Sequence, residues 1–125
     1  MKKIAALLLL LFGLCASAQE PQWDEWQKTS CYSNISYRLL ELGKHGEQYR
    51  WKIQFRNDYD NIISFNYHVT DKVGKYTTTT HRKALHQGQV SEEIDLYTKS
   101  QDIYILADKV SMTPYPENFV ECDGK

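Results

Sequence analysis

The chain has 125 residues, with 15 Lys and Arg against 16 Asp and Glu and a formal net charge of −1. This length is enough for one domain with its own hydrophobic core but not for two. The balanced charge, without a basic cluster, argues against nucleic acid and against an anionic membrane surface as partners.

The N-terminal segment has the pattern of a secretory signal peptide. Two lysines precede an apolar run over residues 4–14, which is shorter than the roughly 20 residues of a membrane-spanning helix. Small residues then form an A-x-A site that ends at Ala18. We therefore predict a signal peptide over residues 1–18, cleaved after Ala18, and a periplasmic or secreted domain over residues 19–125 without a transmembrane segment.

The three cysteines divide between these two parts. Cys15 would become the lipid-modified N-terminus of a bacterial lipoprotein, but Leu14 stands where that motif has a small residue. Cys31 and Cys122 remain after cleavage, and an even pair in a small exported domain predicts a disulfide. Such a bond would join the first and last segments of the domain and contribute about 4–5 kcal/mol at most in the chain-entropy model. Two free thiols are the alternative.

Residues 19–28 show no clear period and are expected to form a short irregular arm. Trp23 and Trp26 lie within it. One interpretation is an exposed aromatic platform for a protein or glycan partner. The other is that both indoles dock onto the domain and cover one open end, because two freely exposed tryptophans would favour aggregation. Both residues are candidates for partner binding.

Alternating apolar and polar residues predict the strands that follow. The clearest strand covers residues 47–56, and its inward-facing residues are expected to be Tyr49, Trp51, Ile53 and Phe55. The same alternation predicts strands over residues 33–42 and 63–70. A helix would distribute these apolar residues around its whole circumference.

The polar segment Asn57–Asn61 separates two of these strands and has the composition of a turn. We predict that it closes a hairpin between residues 47–56 and 63–70, and its tip makes Asp58, Tyr59 and Asp60 candidates for partner binding. Its side-chain oxygens could also hold calcium. A tight turn requires the same residue types, and the Gly and Glu of an EF-hand are missing, so we expect no metal.

Three further strands are predicted toward the C-terminus, over Thr77–Thr80, Val90–Tyr97 and Asp102–Met112. The threonine run is followed by cations and is typical of an exposed edge strand, which could accept a partner's strand. With six or seven short strands and no amphipathic helix, the sequence predicts an all-β fold, a single antiparallel β-sandwich with one disulfide. A small closed barrel is the alternative.

The layout from Ile53 to Tyr97 is similar to that of immunoglobulin-like and fibronectin-like modules of secreted bacterial proteins. A strand ends in Arg56-Asn57, and the turn Leu85-His86-Gln87-Gly88 precedes another strand. Gln87 replaces the proline of the Leu-x-Pro-Gly turn found in such modules. The resemblance implies an immunoglobulin-like sandwich and carries no functional residues.

Motifs for catalysis are absent from the sequence, which has no G-x-S-x-G, H-E-x-x-H, P-loop or G-x-G-x-x-G. The four histidines are expected at the surface, although His68 and His81 could meet across strands. We therefore expect a non-catalytic, exported module without a cofactor that binds a protein or glycan partner. The alternative is an inhibitor or immunity protein that blocks an enzyme through a hairpin loop, either Asn57–Asn61 or Asp71–Lys75.

Overall fold

A computed structural model describes residues 22–71 and 81–123, and all regular structure in these two ranges is β-strand. The predicted signal peptide, its cleavage site and the predicted Thr77–Thr80 strand lie outside the described residues. Within the two ranges, no helix offers the length and apolar character that crossing a membrane requires.

Seven strands of the described residues form two antiparallel sheets. They are β1 (Gln27–Lys28), β2 (Ile35–His45), β3 (Gln48–Asn57), β4 (Ile63–Thr70), β5 (His81–Leu85), β6 (Ile94–Thr98) and β7 (Tyr104–Ser111). One sheet has the order β1-β2-β3-β6 and the other the order β5-β4-β7. The predicted all-β class is confirmed, and the arrangement of the two sheets fits a sandwich.

The inner faces of the two sheets share one hydrophobic core. Trp51, Ile53 and Phe55 of β3 are buried as the alternation predicted, whereas Tyr49 is only half-buried. The Phe55 ring lies 5.2 Å from the ring of Phe65 and 4.9 Å from that of Tyr67, both on β4 in the other sheet. Burying each large side chain contributes about 1.5–3 kcal/mol, so these rings account for much of the attraction between the sheets.

The predicted hairpin between β3 and β4 is wrong. β3 pairs with β2 and β6, whereas β4 pairs with β5 and β7. Residues 58–62 therefore cross from one sheet to the other. The buried side chain of Asn57 fixes this crossing, because its amide donates to the carbonyl oxygens of Leu85 at 3.2 Å and His86 at 3.1 Å, next to the other sheet. Alternation shows which face of a strand is buried, but not which strand lies beside it.

The strand order can be compared with that of immunoglobulin constant domains. In those domains the first, second, fifth and fourth strands form one sheet, and the third, sixth and seventh form the other. Matched from β2 onward, β2, β3 and β6 take the places of the first, second and fifth strands, and β4 and β7 those of the third and sixth, whereas β5 pairs with β4 instead of joining the other sheet. The immunoglobulin-like resemblance stays a prediction.

The hairpin of β2 and β3 fixes which side chains meet on the outer face of the four-stranded sheet. A two-residue connection links His45 to Gln48, and Gly46 has the positive φ of 68° that such tight turns require. The resulting register pairs Ser36 with Arg56 and Arg38 with Gln54. These four residues alternate with core residues and therefore point outward.

The predicted disulfide is confirmed. Cys31 and Cys122 are bonded, with Cα atoms 5.1 Å apart and a sequence separation of 91 residues. Next to the bond, the Asp123 amide donates to the Cys31 carbonyl at 3.0 Å, and the carboxylate of Asp123 accepts from the Ser33 amide and hydroxyl. The last described segment is thus fastened to the turn before β2.

Candidate functional site

The N-terminal arm, which here means residues 22–28, lies along the edge of β2 that faces away from β3. The Asp24 amide donates to the Leu39 carbonyl at 2.9 Å, and Gln27 and Lys28 pair with Tyr37 and Ser36. The arm therefore runs antiparallel to β2 and covers its backbone edge. Its two tryptophans reach the outward-facing side chains of β2 and β3.

Two tryptophans and two arginines form a stacked cluster on the outer face of this sheet. We call it the Trp–Arg ladder and define it as Trp23, Arg38, Trp26 and Arg56. The Arg38 guanidinium carbon lies 4.6 Å from the Trp23 ring centroid and 4.8 Å from that of Trp26. The Arg56 guanidinium carbon lies 4.6 Å from the Trp26 centroid. Both indoles are half-buried, so each presents part of its surface to solvent.

Arg38 is the centre of the ladder because it contacts both tryptophans. Each cation–π contact contributes about 0.5–1 kcal/mol at an exposed site and more when it is desolvated. A guanidinium can stack through its faces while it donates through its edge. Arg38 does both, since Nε and Nη2 donate to Oε1 of Gln54 at 3.0 and 2.7 Å. Gln54 is held in turn by a 3.1 Å hydrogen bond from Nε2 to the Ser91 carbonyl.

Asp58 joins the end of the ladder to β1. Its carboxylate accepts from Arg56 Nε at 2.7 Å, from the Ser36 hydroxyl at 2.5 Å and from Lys28 Nζ at 3.2 Å. Burial raises the pKa of Asp58, but the hydrogen bonds from these three residues more than offset it and leave the pKa below its usual value. The charged carboxylate of Asp58 therefore links β1, β2 and β3 through hydrogen bonds.

The structure separates the residues that the sequence grouped as candidates. Trp23, Trp26 and Asp58 come together through Arg56. Tyr59 instead packs against the core, where burial, followed by the charges of Asp123 and Tyr32, raises its pKa to about 12. Asp60 is exposed, and no hydrogen bond or ion pair of its side chain is seen within the two described ranges.

Sequence reasoning missed both arginines of the ladder. In the sequence, Arg38 and Arg56 are only polar residues of alternating strands, because neither their partners nor the register of the strands is visible. The one signal in the sequence was the position of both arginines among the outward-facing residues of their strands. Outward-facing arginines on neighbouring strands, next to an arm with two tryptophans, provide the components of alternating cation and ring stacking.

A second polar cluster lies on the outer face of the three-stranded sheet, around Arg82 of β5. Its Nη2 donates to the hydroxyls of Ser64 at 2.7 Å and Ser111 at 3.3 Å, and its Nη1 to Asn66 Oδ1 at 3.0 Å and to the Lys109 carbonyl at 2.6 Å. Burial lowers the pKa of Arg82, and the charge of Asp108 partly opposes this. Four acceptors already engage this guanidinium, which favours a structural role.

The expectation that all histidines lie at the surface is wrong for His68. This side chain is buried, with Nε2 3.1 Å from Oδ1 of Asp108. His81 stacks on the Tyr67 ring at 5.0 Å, on the inner face of the sheet. His68 follows Tyr67 directly and points to the opposite face, so His68 and His81 do not meet. Within residues 22–71 and 81–123, no three His, Cys, Asp or Glu residues are grouped as a metal ion would require.

The ladder offers two kinds of contact to a partner, flat aromatic surface and guanidinium N–H donors. No family model, curated protein or solved structure matches the chain. Function is therefore inferred from the chemistry of these side chains. Half-buried rings held by fixed cations can bind a partner without a large loss of side-chain entropy.

Proposed function

We propose that this chain is a non-catalytic binding module exported from the cytoplasm, and that it binds a protein or glycan partner of the cell envelope or the extracellular space through the Trp–Arg ladder. The observation that carries the proposal is the position of Arg38 between two half-buried indoles. Aromatic residues and arginine are the types most enriched at the energetic centres of interfaces.

The stacking supports a binding role because it keeps the side chains of the surface ordered before a partner binds. The guanidinium of Arg38 fixes both rings, and Gln54 fixes the guanidinium. A surface that is ordered before its partner arrives loses less conformational freedom on binding. Tyr and Trp rings also provide large contact areas with few rotatable bonds.

Export is supported by two features of the chain. The apolar run over residues 4–14 has the length of a signal peptide. The bond between Cys31 and Cys122 is of the kind that persists in oxidising compartments such as the periplasm or the extracellular space.

A binding experiment with one altered ring tests this proposal. The purified protein, its Trp23→Ala variant and its Tyr115→Ala variant are immobilised and exposed separately to envelope proteins and envelope polysaccharides of the source cells. Trp23 contacts only one arginine of the ladder, so its loss perturbs the fold least. Tyr115 is a matched control, because it is an aromatic side chain 65% exposed and near the other sheet, where its carbonyl accepts from Ser64.

We expect the wild-type protein to retain a component of one fraction, and we expect Trp23→Ala to retain it about tenfold more weakly. Tyr115→Ala should bind like wild type. Thermal melting of each variant separates lost binding from lost folding. Retention that survives Trp23→Ala but is lost in Tyr115→Ala would overturn the proposal.

A further inference from the structure

The unused edge of the Arg38 guanidinium indicates what chemistry a ligand of the ladder has. Arg38 donates to Gln54 through Nε and Nη2. Its Nη1 donates to no acceptor among residues 22–71 and 81–123, and this atom is not one of the buried polar atoms that lack a partner. The outer edge of the guanidinium is thus open to solvent between two indole rings.

Arg38 forms no ion pair with a carboxylate of the described residues. Arg56 and Lys28 both pair with Asp58. The described part of the chain places no Asp or Glu oxygen within 4.0 Å of Arg38, although Asp24 and Glu25 belong to the same arm as the tryptophans. A permanently charged arginine flanked by apolar ring surface is a site where an external anion gains most, because the rings exclude some of the competing water.

We infer that the ladder binds an acidic glycan, with a uronate carboxylate accepting hydrogen bonds from the outer edge of Arg38 and the sugar ring lying against Trp23. A carboxylate is planar and matches the paired N–H groups of a guanidinium edge. Trp23 contacts Arg38 but no second described cation, whereas Trp26 contacts both arginines, so we place the sugar on Trp23. This inference rests on the proposed function and adds the class of ligand to it.

A glycan fits this surface better than an acidic peptide. Extended peptides commonly bind by adding a strand to a sheet edge. The edge next to Arg38 is already occupied, because the arm donates from Asp24 to Leu39 and pairs with Tyr37 and Ser36. A ligand at Arg38 must therefore be recognised by side chains, which suits a sugar with a flat face and a carboxylate.

The test uses three soluble probes on the wild-type protein, followed by tryptophan fluorescence and calorimetry. Oligogalacturonate carries both sugar and carboxylate, its methyl ester carries the sugar without the charge, and oligoglutamate carries the carboxylate without the sugar. We expect oligogalacturonate to bind and to change the tryptophan emission, and we expect each of the other two to bind about tenfold more weakly. This comparison needs no variant and so does not depend on how substitutions fold.

Two variants then locate the site. Arg38→Gln should weaken oligogalacturonate binding about tenfold, whereas Lys109→Gln should change it by less than about twofold. Lys109 is a matched control, because it is an exposed cation 5.3 Å from the ring centroid of Phe119 and lies on the other sheet. Thermal melting checks that Arg38→Gln remains folded.

Equal binding of the methyl ester would show that the carboxylate is not recognised, and equal binding of oligoglutamate would show that the sugar is not. Either result overturns this inference, as does the absence of oligogalacturonate binding. The proposed function is judged separately by the envelope fractions. A partner protein whose retention depends on Trp23 would preserve it while the glycan inference fails.

Discussion

Asn57 is a fully buried amide whose polar atoms are all bonded. Its Nδ2 donates to the carbonyls of Asn61, Leu85 and His86, and its Oδ1 accepts from the Tyr59 amide at 2.8 Å. The side chain therefore satisfies backbone groups on both sides of the crossing between the sheets. Such groups are costly to leave without partners in the interior.

Asn57→Ala should lower the free energy of unfolding by about 3 kcal/mol, because it leaves several buried backbone groups unsatisfied. Urea denaturation measures the loss. Asp60→Ala, at an exposed position in the same segment, should change the stability by less than about 0.5 kcal/mol. An Asn57→Ala protein as stable as wild type would mean that the crossing does not depend on this amide.

Asp58 predicts a dependence of stability on pH. Its folded pKa lies below the ordinary value of 3.8, so it contributes stability that is complete above that value and is lost as the pH falls through the folded pKa. Asp58→Asn should be less stable than wild type at pH 7, and the two proteins should converge in acid. Urea denaturation between pH 7 and pH 2 measures the difference, and a gap that is constant with pH would contradict the assignment.

The two tryptophans that hold the N-terminal arm contact different numbers of arginines. Their substitutions should therefore lower the free energy of unfolding by different amounts. Trp26 contacts two arginines and Trp23 contacts one. At about 0.5–1 kcal/mol for each contact plus lost packing, Trp26→Ala should cost about 2 kcal/mol and Trp23→Ala about 1 kcal/mol. Faster hydrogen exchange at Thr29, whose amide donates to the Ile35 carbonyl at 2.9 Å, should accompany the loss of Trp26. The reverse order of the two costs would show that the arm is anchored in another way.

The sequence predicted the bounds of the strands better than it predicted which strands pair with each other. The alternation placed β4 at residues 63–70 with the same bounds as the structure, because period two is a local property. The pairing of β3 with β4 failed, because it depends on distant groups such as the Leu85 carbonyl that accepts from Asn57. The ladder was hidden for the same reason. It requires the register of Arg38 and Arg56 together with the course of the arm.

For the whole molecule, the disulfide links the turn before β2 to the last described segment. Cys31 and Cys122 were predictable because an even cysteine pair in a small exported domain has few alternatives, and a bond across 91 residues constrains most of the unfolded chain. Replacing both cysteines with alanine should lower the free energy of unfolding by about 4 kcal/mol. Urea denaturation of the variant, and of wild type with and without reductant, measures this. Equal midpoints under all conditions would contradict a stabilising role for the bond.

The two outer faces of the molecule differ in what the terminal nitrogens of their arginines contact. Both terminal nitrogens of Arg82 donate to acceptors on one face, although its buried Nε has no partner within the described residues, whereas Arg38 on the other face keeps Nη1 open to a ligand between two rings. This difference is the reason for assigning binding to the four-stranded sheet. It could not be read from the sequence, where the partners of neither arginine are visible.

Nuclear magnetic resonance of the arginine side chains, with and without the envelope component that the protein retains, tests the central claim most directly. The Arg38 guanidinium protons should be shifted upfield by the ring currents of Trp23 and Trp26 in the unbound protein, and they should move together with both indole N–H signals on binding. Unshifted Arg38 protons, or binding that moves the signals of Phe119 and Tyr115 instead, would contradict the account.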